Sequence, residues 1–171
     1  MKEISPHVCL ALDAISSYVR DRKLIEPPEG LPPEMESPSA AFVSLKKHGE
    51  LRGCIGTIKP AQSSLAQEII QNAISAATRD PRFLPVEPDE VEQLVCSVDV
   101  LSAPELIDDP SLLHHKKYGV IVECGSRCGL LLPDLEGVDT VDDQIEIACR
   151  KAMISPDEPI VLYRFEVKRY Y

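Results

Sequence analysis

The chain has 171 residues, which corresponds to about one domain, and this length is sufficient to bury a core without disulfides or metals. Lysine and arginine number 18 against 28 aspartates and glutamates, so the net charge of −10 draws the chain neither to nucleic acid nor to anionic lipid. No apolar run approaches the roughly 20 residues that cross a bilayer, and the first residues lack the apolar core of a signal peptide. We therefore expect a cytoplasmic protein that binds neither nucleic acid nor membranes.

The first elements of the chain are predicted to be a helix and an irregular segment. Ser5 and Pro6 are typical of a helix start, and apolar residues then recur every three or four positions, which predicts a helix over about 6–23. Five prolines fall within residues 26–38, so this segment is predicted to be a loop.

Residues 41–101 are predicted to form a hairpin, a helix and a strand. Strand-like segments flank the turn at His48 and Gly49, and Ser64 with Gln67 forms a capping box for a helix that ends near Asp80. Alternating apolar residues then predict a strand over 94–101.

Residues 118–168 repeat this order of elements. A second hairpin, a helix capped by Thr140 and a last strand over 160–167 follow one another with little residue identity to the first unit. The repetition predicts a structural duplication. We expect an α+β fold in a single domain over 1–171, with both hairpin–helix–strand units sharing one antiparallel sheet and helices at its side.

Six cysteines are present, and in a chain of this length without an export signal they are expected to be reduced. Cys124 and Cys128 flank the second hairpin turn, where they are either within reach of a disulfide or of a soft metal, or are ordinary residues of the strand ends. No zinc-ligand spacing occurs, and the CxxxCxxC cluster motif of radical-SAM enzymes lacks its third cysteine, so we predict no metal site in this chain.

The segment 51–57 is the most unusual local sequence because it places Gly53 and Gly56 within a strand, where glycine indicates close approach of another group. In a regular strand Arg52 and Cys54 lie on one face about 6.5 Å apart, and a guanidinium beside a thiol favours a reactive thiolate. Two alternatives stay open: Cys54 as a small buried apolar residue, and the glycines as part of a bulge or sheet corner.

A family resemblance rests on LRGCIGTI, LAQEIIQNAISAATRDPRF, SVDVL, KKYGVIV, GLLLPDLEGVDTVDDQIEIA and LYRFEV, which span most of residues 8–168. These strings resemble the AMMECR domain family, most closely its bacterial and archaeal branch, the AmmeMemoRadiSam system protein A. The resemblance implies an α+β fold around a curved antiparallel sheet, a cleft near the LRGCIG strand, and association with a Memo-like protein and a radical-SAM protein. It implies no known reaction, and the cofactors stay unknown.

Carried over to this chain, the family motifs place the candidate site at Arg52, Gly53, Cys54 and Gly56 in the strand and at Asp80 and Arg82 after the following helix. Asp80 is expected to orient Arg52 or Arg82, or alternatively to end the helix by satisfying backbone groups. Two arginines beside a cleft in an acidic protein favour an anionic ligand.

These features lead to three functional hypotheses. The first is a ligand- or partner-binding component that assists its Memo-like and radical-SAM partners in modifying a small molecule or protein. The second is a thiol-dependent enzyme with Cys54 as nucleophile, and the third is a purely structural adaptor. The sequence leaves open whether the chain is itself an enzyme, because the common motifs of hydrolases, nucleotide-binding enzymes and zinc proteases are absent.

Overall fold

The first helix shows how local signals define the elements of this computed structural model, which describes residues 4–171. Ser5 accepts a hydrogen bond from the Val8 N–H, and the helix begins at Pro6. It ends at Asp21, two residues before the predicted end, because Arg22 adopts a left-handed conformation with φ 55° and donates its N–H back to Tyr18. Residues 26–38 contain no α-helix or strand, and one short 3-10 turn there buries Met35.

The described residues form three α-helices and eight strands. The helices are α1 Pro6–Asp21, α2 Leu65–Thr78 and α3 Val141–Lys151. The strands are β1 Ala41–Lys47, β2 Glu50–Gly56, β3 Leu94–Leu101, β4 Glu105–Ile107, β5 Gly119–Cys124, β6 Arg127–Leu131, β7 Val161–Phe165 and β8 Val167–Tyr170. Among these residues, no helix has the length and apolar character needed to cross a membrane.

The chain divides into two compact units: unit 1 covers the residues up to Val100 together with Lys168–Tyr171, and unit 2 covers Leu101–Val167. Each unit contains one four-stranded sheet, with the order β2-β1-β3-β8 in unit 1 and β4-β7-β5-β6 in unit 2. The α+β class, with antiparallel strands in two hairpin–helix–strand units, is thereby confirmed.

The expectation of one shared sheet is wrong, because the chain forms two sheets. Each sheet gains an outer strand from a distant part of the chain. In unit 1, β8 occupies the free side of β3, where Arg169 makes two hydrogen bonds to Asp99 of 2.6 and 2.8 Å. In unit 2, β4 occupies the free side of β7, where Arg164 donates to Glu105 at 2.8 Å. The chain thus forms two four-stranded sheets, with β8 as an outer strand of one and β4 as an outer strand of the other.

Two contacts between helix and sheet set the correspondence between the units. Asn72 on α2 donates its side-chain N–H to the Ala41 carbonyl at 2.9 Å, and Gln144 on α3 donates to the Tyr118 carbonyl at 2.8 Å. Four residues further along each helix, a backbone carbonyl oxygen packs closely against a glycine of a strand. The oxygen of Ala76 packs against Gly53, and the oxygen of Ala148 packs against Gly129. Both pairs give the same alignment, so each residue of α2 corresponds to the residue 72 positions later on α3.

Candidate functional site

Strand β2 carries the LRGCIG segment and is irregular at Arg52. Opposite Gly53 lies Leu45, and opposite Leu51 lies Lys46, so Arg52 is an extra residue in a β-bulge. A bulge redirects the side chain of the inserted residue. The regular alternation that predicted Arg52 and Cys54 on one face is therefore broken, and the two side chains have different partners.

The Arg52 side chain is bound to Glu90 and to two backbone carbonyls shortly before Glu90 in the sequence. Its Nε and Nη2 atoms donate to the two carboxylate oxygens of Glu90 at 3.1 and 2.8 Å. Nη1 donates to the Leu84 carbonyl at 2.9 Å, and Nη2 also donates to the Pro85 carbonyl at 3.3 Å. The Arg52 hydrogen bond is the main reason that the pKa of Glu90 falls to about 2. We call this set of bonds the arginine clamp of unit 1. An anionic ligand at Arg52 stays a prediction, and such a ligand would compete with Glu90.

Unit 2 contains the same clamp. Arg127 on β6 binds both carboxylate oxygens of Glu158, and its Nη1 donates to the Met153 carbonyl at 2.7 Å. In both units a backbone N–H also donates to the clamp carboxylate, from Glu87 at 2.9 Å in unit 1 and from Ser155 at 2.8 Å in unit 2. The clamp is therefore a repeated structural device.

Asp80 pairs with Arg82 and not with Arg52. Its carboxylate accepts from Arg82 Nε at 2.9 Å and from Arg82 Nη2 at 2.7 Å, and it also accepts from the Cys54 N–H at 2.9 Å. Asp80 is 4% exposed, and the Arg82 side chain holds its pKa well below the ordinary range of a carboxyl. Of the two arginines considered for orientation by Asp80, the structure thus selects Arg82.

The Asp80–Arg82 pair covers the outer edge of the sheet at Cys54. Because Arg82 Nη2 donates to the Cys54 carbonyl at 3.3 Å, both backbone polar groups of Cys54 are satisfied from this loop. Strand β2 is an edge strand, whose open backbone groups would otherwise face solvent or another chain. The alternative in which Asp80 satisfies backbone groups therefore describes part of its role. The Arg82 side chain itself remains 54% exposed.

The loop that carries Asp80 has no counterpart in unit 2. In unit 1 the Val86 N–H returns to the Ala77 carbonyl nine residues earlier, whereas in unit 2 the Ile154 N–H returns to the Cys149 carbonyl five residues earlier. Ala77 and Cys149 correspond in the two helices. The four additional residues of unit 1 fall in the segment 80–84, which we call the 80–84 loop.

The two glycines of the segment are approached by the protein itself. A Cβ atom on Gly53 would overlap the Ala76 carbonyl oxygen of α2, and one on Gly56 would overlap the Phe42 ring. The prediction of a close approach is thus explained by helix and side-chain packing within unit 1.

The Cys54 thiol is half-buried and lies beside Ser44. Burial raises its pKa above the ordinary value, although the Ser44 hydrogen bond and the Arg82 charge act in the opposite direction. A raised pKa keeps the sulfur protonated near neutral pH, where a nucleophilic cysteine requires the thiolate.

We expect iodoacetamide at neutral pH to modify Cys54 more slowly than the exposed thiols of Cys9 and Cys128. The physical reason is the combination of burial and raised pKa. A time course of alkylation followed by peptide mass spectrometry measures the three rates in one sample. Modification of Cys54 ahead of both exposed thiols would instead support the thiol-dependent enzyme.

Two residues of the site, Glu68 and Glu90, are not predicted from the sequence. Glu68 is buried on α2 and accepts from Thr57 Oγ1 at 2.6 Å and from the N–H groups of Ala61 and Gln62. It thereby fixes the chain that leaves the LRGCIG strand. A signal was available, because Glu68 lies on the same helix side as Leu65 and Asn72. Glu90, the other missed residue, lies in a polar loop whose sequence carries no such signal.

Cys124 and Cys128 do not face each other across the second hairpin. A two-residue turn pairs Cys124 with Arg127 and Cys128 with Glu123, so the two thiols occupy adjacent positions of the register, on opposite faces. Neither forms a disulfide. Among residues 4–171, no group of three or more histidine, cysteine, aspartate or glutamate side chains is arranged to hold a metal ion.

Comparison with known proteins agrees with this architecture. A protein of Thermotoga maritima is 54% identical over 168 residues, which cover 96% of this chain and 97% of that protein. Protein CA_C1420 of Clostridium acetobutylicum is 47% identical over 99% of this chain, which spans only 36% of that longer protein. The crystal structure of uncharacterized protein PH0010 from Pyrococcus horikoshii superimposes with a TM-score of 0.88 at 36% identity, over 95% of this chain and 88% of that one. The AMMECR1 family model matches residues 8–170, and the chain therefore belongs to the AMMECR1 family.

Proposed function

We propose that this protein is a partner-binding component and that the 80–84 loop is its recognition element. The observation that carries the proposal is the comparison of the two units. Unit 2 builds its hairpin, helix and arginine clamp without these four residues, so folding of such a unit does not require them. Asp80 and Arg82 tie the loop to Cys54, and an additional loop that is held in place in this way is typical of a binding element.

The loop presents an apolar and a cationic side chain. Leu84 is 85% exposed, while its own carbonyl oxygen is held by Arg52. Arg82 is half-exposed, and its Nε and Nη2 atoms are bound to Asp80 and Cys54. Its guanidinium lies 5.5 Å from the centre of the Phe83 ring. Because the backbone is already fixed, a partner that binds this loop loses little conformational entropy. The matching partner surface is an apolar pocket with an acidic rim.

The resemblance to the AmmeMemoRadiSam branch supplies the candidate partners, a Memo-like protein and a radical-SAM protein. We propose that one of them carries the matching pocket and that this chain assists its modification of a small molecule or protein. The thiol-dependent alternative has less support, since burial raises the pKa of Cys54.

The test measures binding of the purified chain to the Memo-like and radical-SAM proteins of the same organism by biolayer interferometry. We expect Leu84→Ala to weaken binding by about 2 kcal/mol, or about 30-fold, as at other interface hot spots. Arg82→Ala is expected to weaken binding as well, and this loss should diminish at high salt.

Met153→Ala is the matched control, because Met153 is 82% exposed and its carbonyl is held by the clamp of unit 2. This variant should bind as the wild type does. Absence of binding to both partners, or equal losses in the Leu84 and Met153 variants, would contradict the proposal.

A further inference from the structure

One face of α3 is exposed to solvent, whereas the corresponding face of α2 is buried. On α2, the side next to the sheet-facing residues is fully buried, and it consists of Ile70, Ala73, Ile74 and Ala77. Helix α1 packs against α2 in unit 1 and belongs to the same hydrophobic core. Unit 1 therefore buries this helix face with a second helix.

Unit 2, all of whose residues are described, contains α3 as its only α-helix. The correspondence of 72 positions, set by Gly53 with Gly129 and by Asn72 with Gln144, identifies the α3 residues that match the buried face of α2. They are Asp142, Ile145, Glu146 and Cys149, and none of them is buried. The position that α1 fills in unit 1 is thus unfilled by any helix of unit 2.

These four residues line a cavity of about 390 Å³. Its opposite wall includes Ile154 and Ile160 from the segment that follows α3. Ile145 and the thiol of Cys149 complete an apolar floor. Apolar side chains of α3 and of the segment after it thus line this cavity, which we call the α3 groove.

The rim of the groove carries three carboxylates and the guanidinium of Arg150. Asp142 and Glu146 stand where α2 has two buried isoleucines, and Glu158 lines the groove further along. Arg150 pairs with Glu146 at 2.6 Å, and Arg127 pairs with Glu158, whereas Asp142 is exposed in the first turn of α3. Asp142 therefore supplies the rim charge that no arginine offsets, and it complements an occupant that carries positive charge beside its apolar side.

We propose that the α3 groove binds an amphipathic helix of a partner protein, with an apolar stripe flanked by lysine or arginine, in the manner in which α1 covers α2. Helix-in-groove recognition of this kind buries apolar anchors at positions i, i+3, i+4 and i+7. The proposal concerns a surface other than the 80–84 loop and does not depend on the function proposed above.

The experiment uses the full chain and a fluorescent 16-residue helical peptide with leucines at the anchor positions and lysines beside them. A second peptide carries glutamates in place of the lysines. We expect the lysine peptide to bind at least about tenfold more tightly in fluorescence anisotropy and to slow alkylation of Cys149, while the rate at the exposed Cys128 stays unchanged.

Two variants locate the binding site. Ile145→Asp places a charge in the floor of the groove, and Asp142→Lys reverses the charge at its rim. Each variant is expected to lower the affinity for the lysine peptide by about tenfold or more. Glu136→Lys makes the same charge change at an exposed residue outside the groove and should alter the affinity by less than about twofold. Thermal unfolding of each variant verifies that α3 is intact.

Equal binding of the two peptides would overturn the proposal, as would binding that leaves Cys149 unprotected or that survives Asp142→Lys. Phenethylammonium serves as the small-molecule comparison. If it protects Cys149 as well as the lysine peptide does at the same concentration, the groove is a small-ligand site and the helix proposal is wrong.

Discussion

The Gly53→Ala variant is expected to lose about 3 kcal/mol of unfolding free energy. The added methyl group would overlap the carbonyl oxygen of Ala76, which belongs to the backbone of α2 and moves only if the helix moves. Urea unfolding followed by circular dichroism measures the loss. Gly129→Ala provides the matched test in unit 2, because its methyl group would overlap the Ala148 carbonyl in the same way.

The exposed helix substitution Gln71→Ala serves as the control and should leave the unfolding free energy within about 0.5 kcal/mol of the wild type. Wild-type stability in both glycine variants would show that the helices adjust to the added methyl group. The close packing of helix on strand would then not be the reason for these glycines.

The Arg52→Ala variant is expected to lose about 3 kcal/mol, because it leaves the largely buried carboxylate of Glu90 and two loop carbonyls without their main donor. Arg127→Ala in unit 2 should cost clearly less, since the Arg127 side chain is 39% exposed and solvent screens its pair. Urea unfolding at pH 7 compares the two variants. Equal losses would contradict the assignment of the stronger clamp to unit 1.

The same clamp predicts a dependence of stability on pH. The pKa of Glu90 is about 2 in the folded chain against an ordinary value of 4.5, so its stabilising contribution is complete above pH 4.5 and is lost as the pH falls from 4.5 towards 2. The Arg52→Ala variant removes the main cause of this shift. Its stability should therefore decline less steeply than that of the wild type over this range, and an equal decline would show that other carboxylates dominate it.

The order of hairpin, helix and strand was predictable from the sequence because capping residues and apolar periodicity are local signals. The division into two sheets was not, since it depends on β8 beside β3 and on β4 beside β7, and these pairings join segments far apart in the chain. The apolar pattern predicts one last strand over 160–167. The structure ends β7 at Phe165 and starts β8 at Val167.

The candidate site shows the same limit. The Asp80–Arg82 pair spans two residues and was predictable from local chemistry. The partner of Arg52 lies 38 residues away, and nothing in the pattern of residues 84–90 distinguishes Glu90 from the neighbouring acidic residues. The bulge at Arg52 was equally hidden, because it depends on how β1 pairs with β2.

Two anchors fix the ends of the 80–84 loop on the scaffold. One anchor is the hydrogen bond from Val86 to Ala77, and the other is the arginine clamp on Leu84 and Pro85. Unit 2 closes the corresponding connection with four fewer residues and keeps both anchors. The segment between the anchors is therefore an insert whose tip a protein engineer could exchange for a different recognition sequence, provided that Asp80 and Arg82 are kept to satisfy the backbone groups of Cys54.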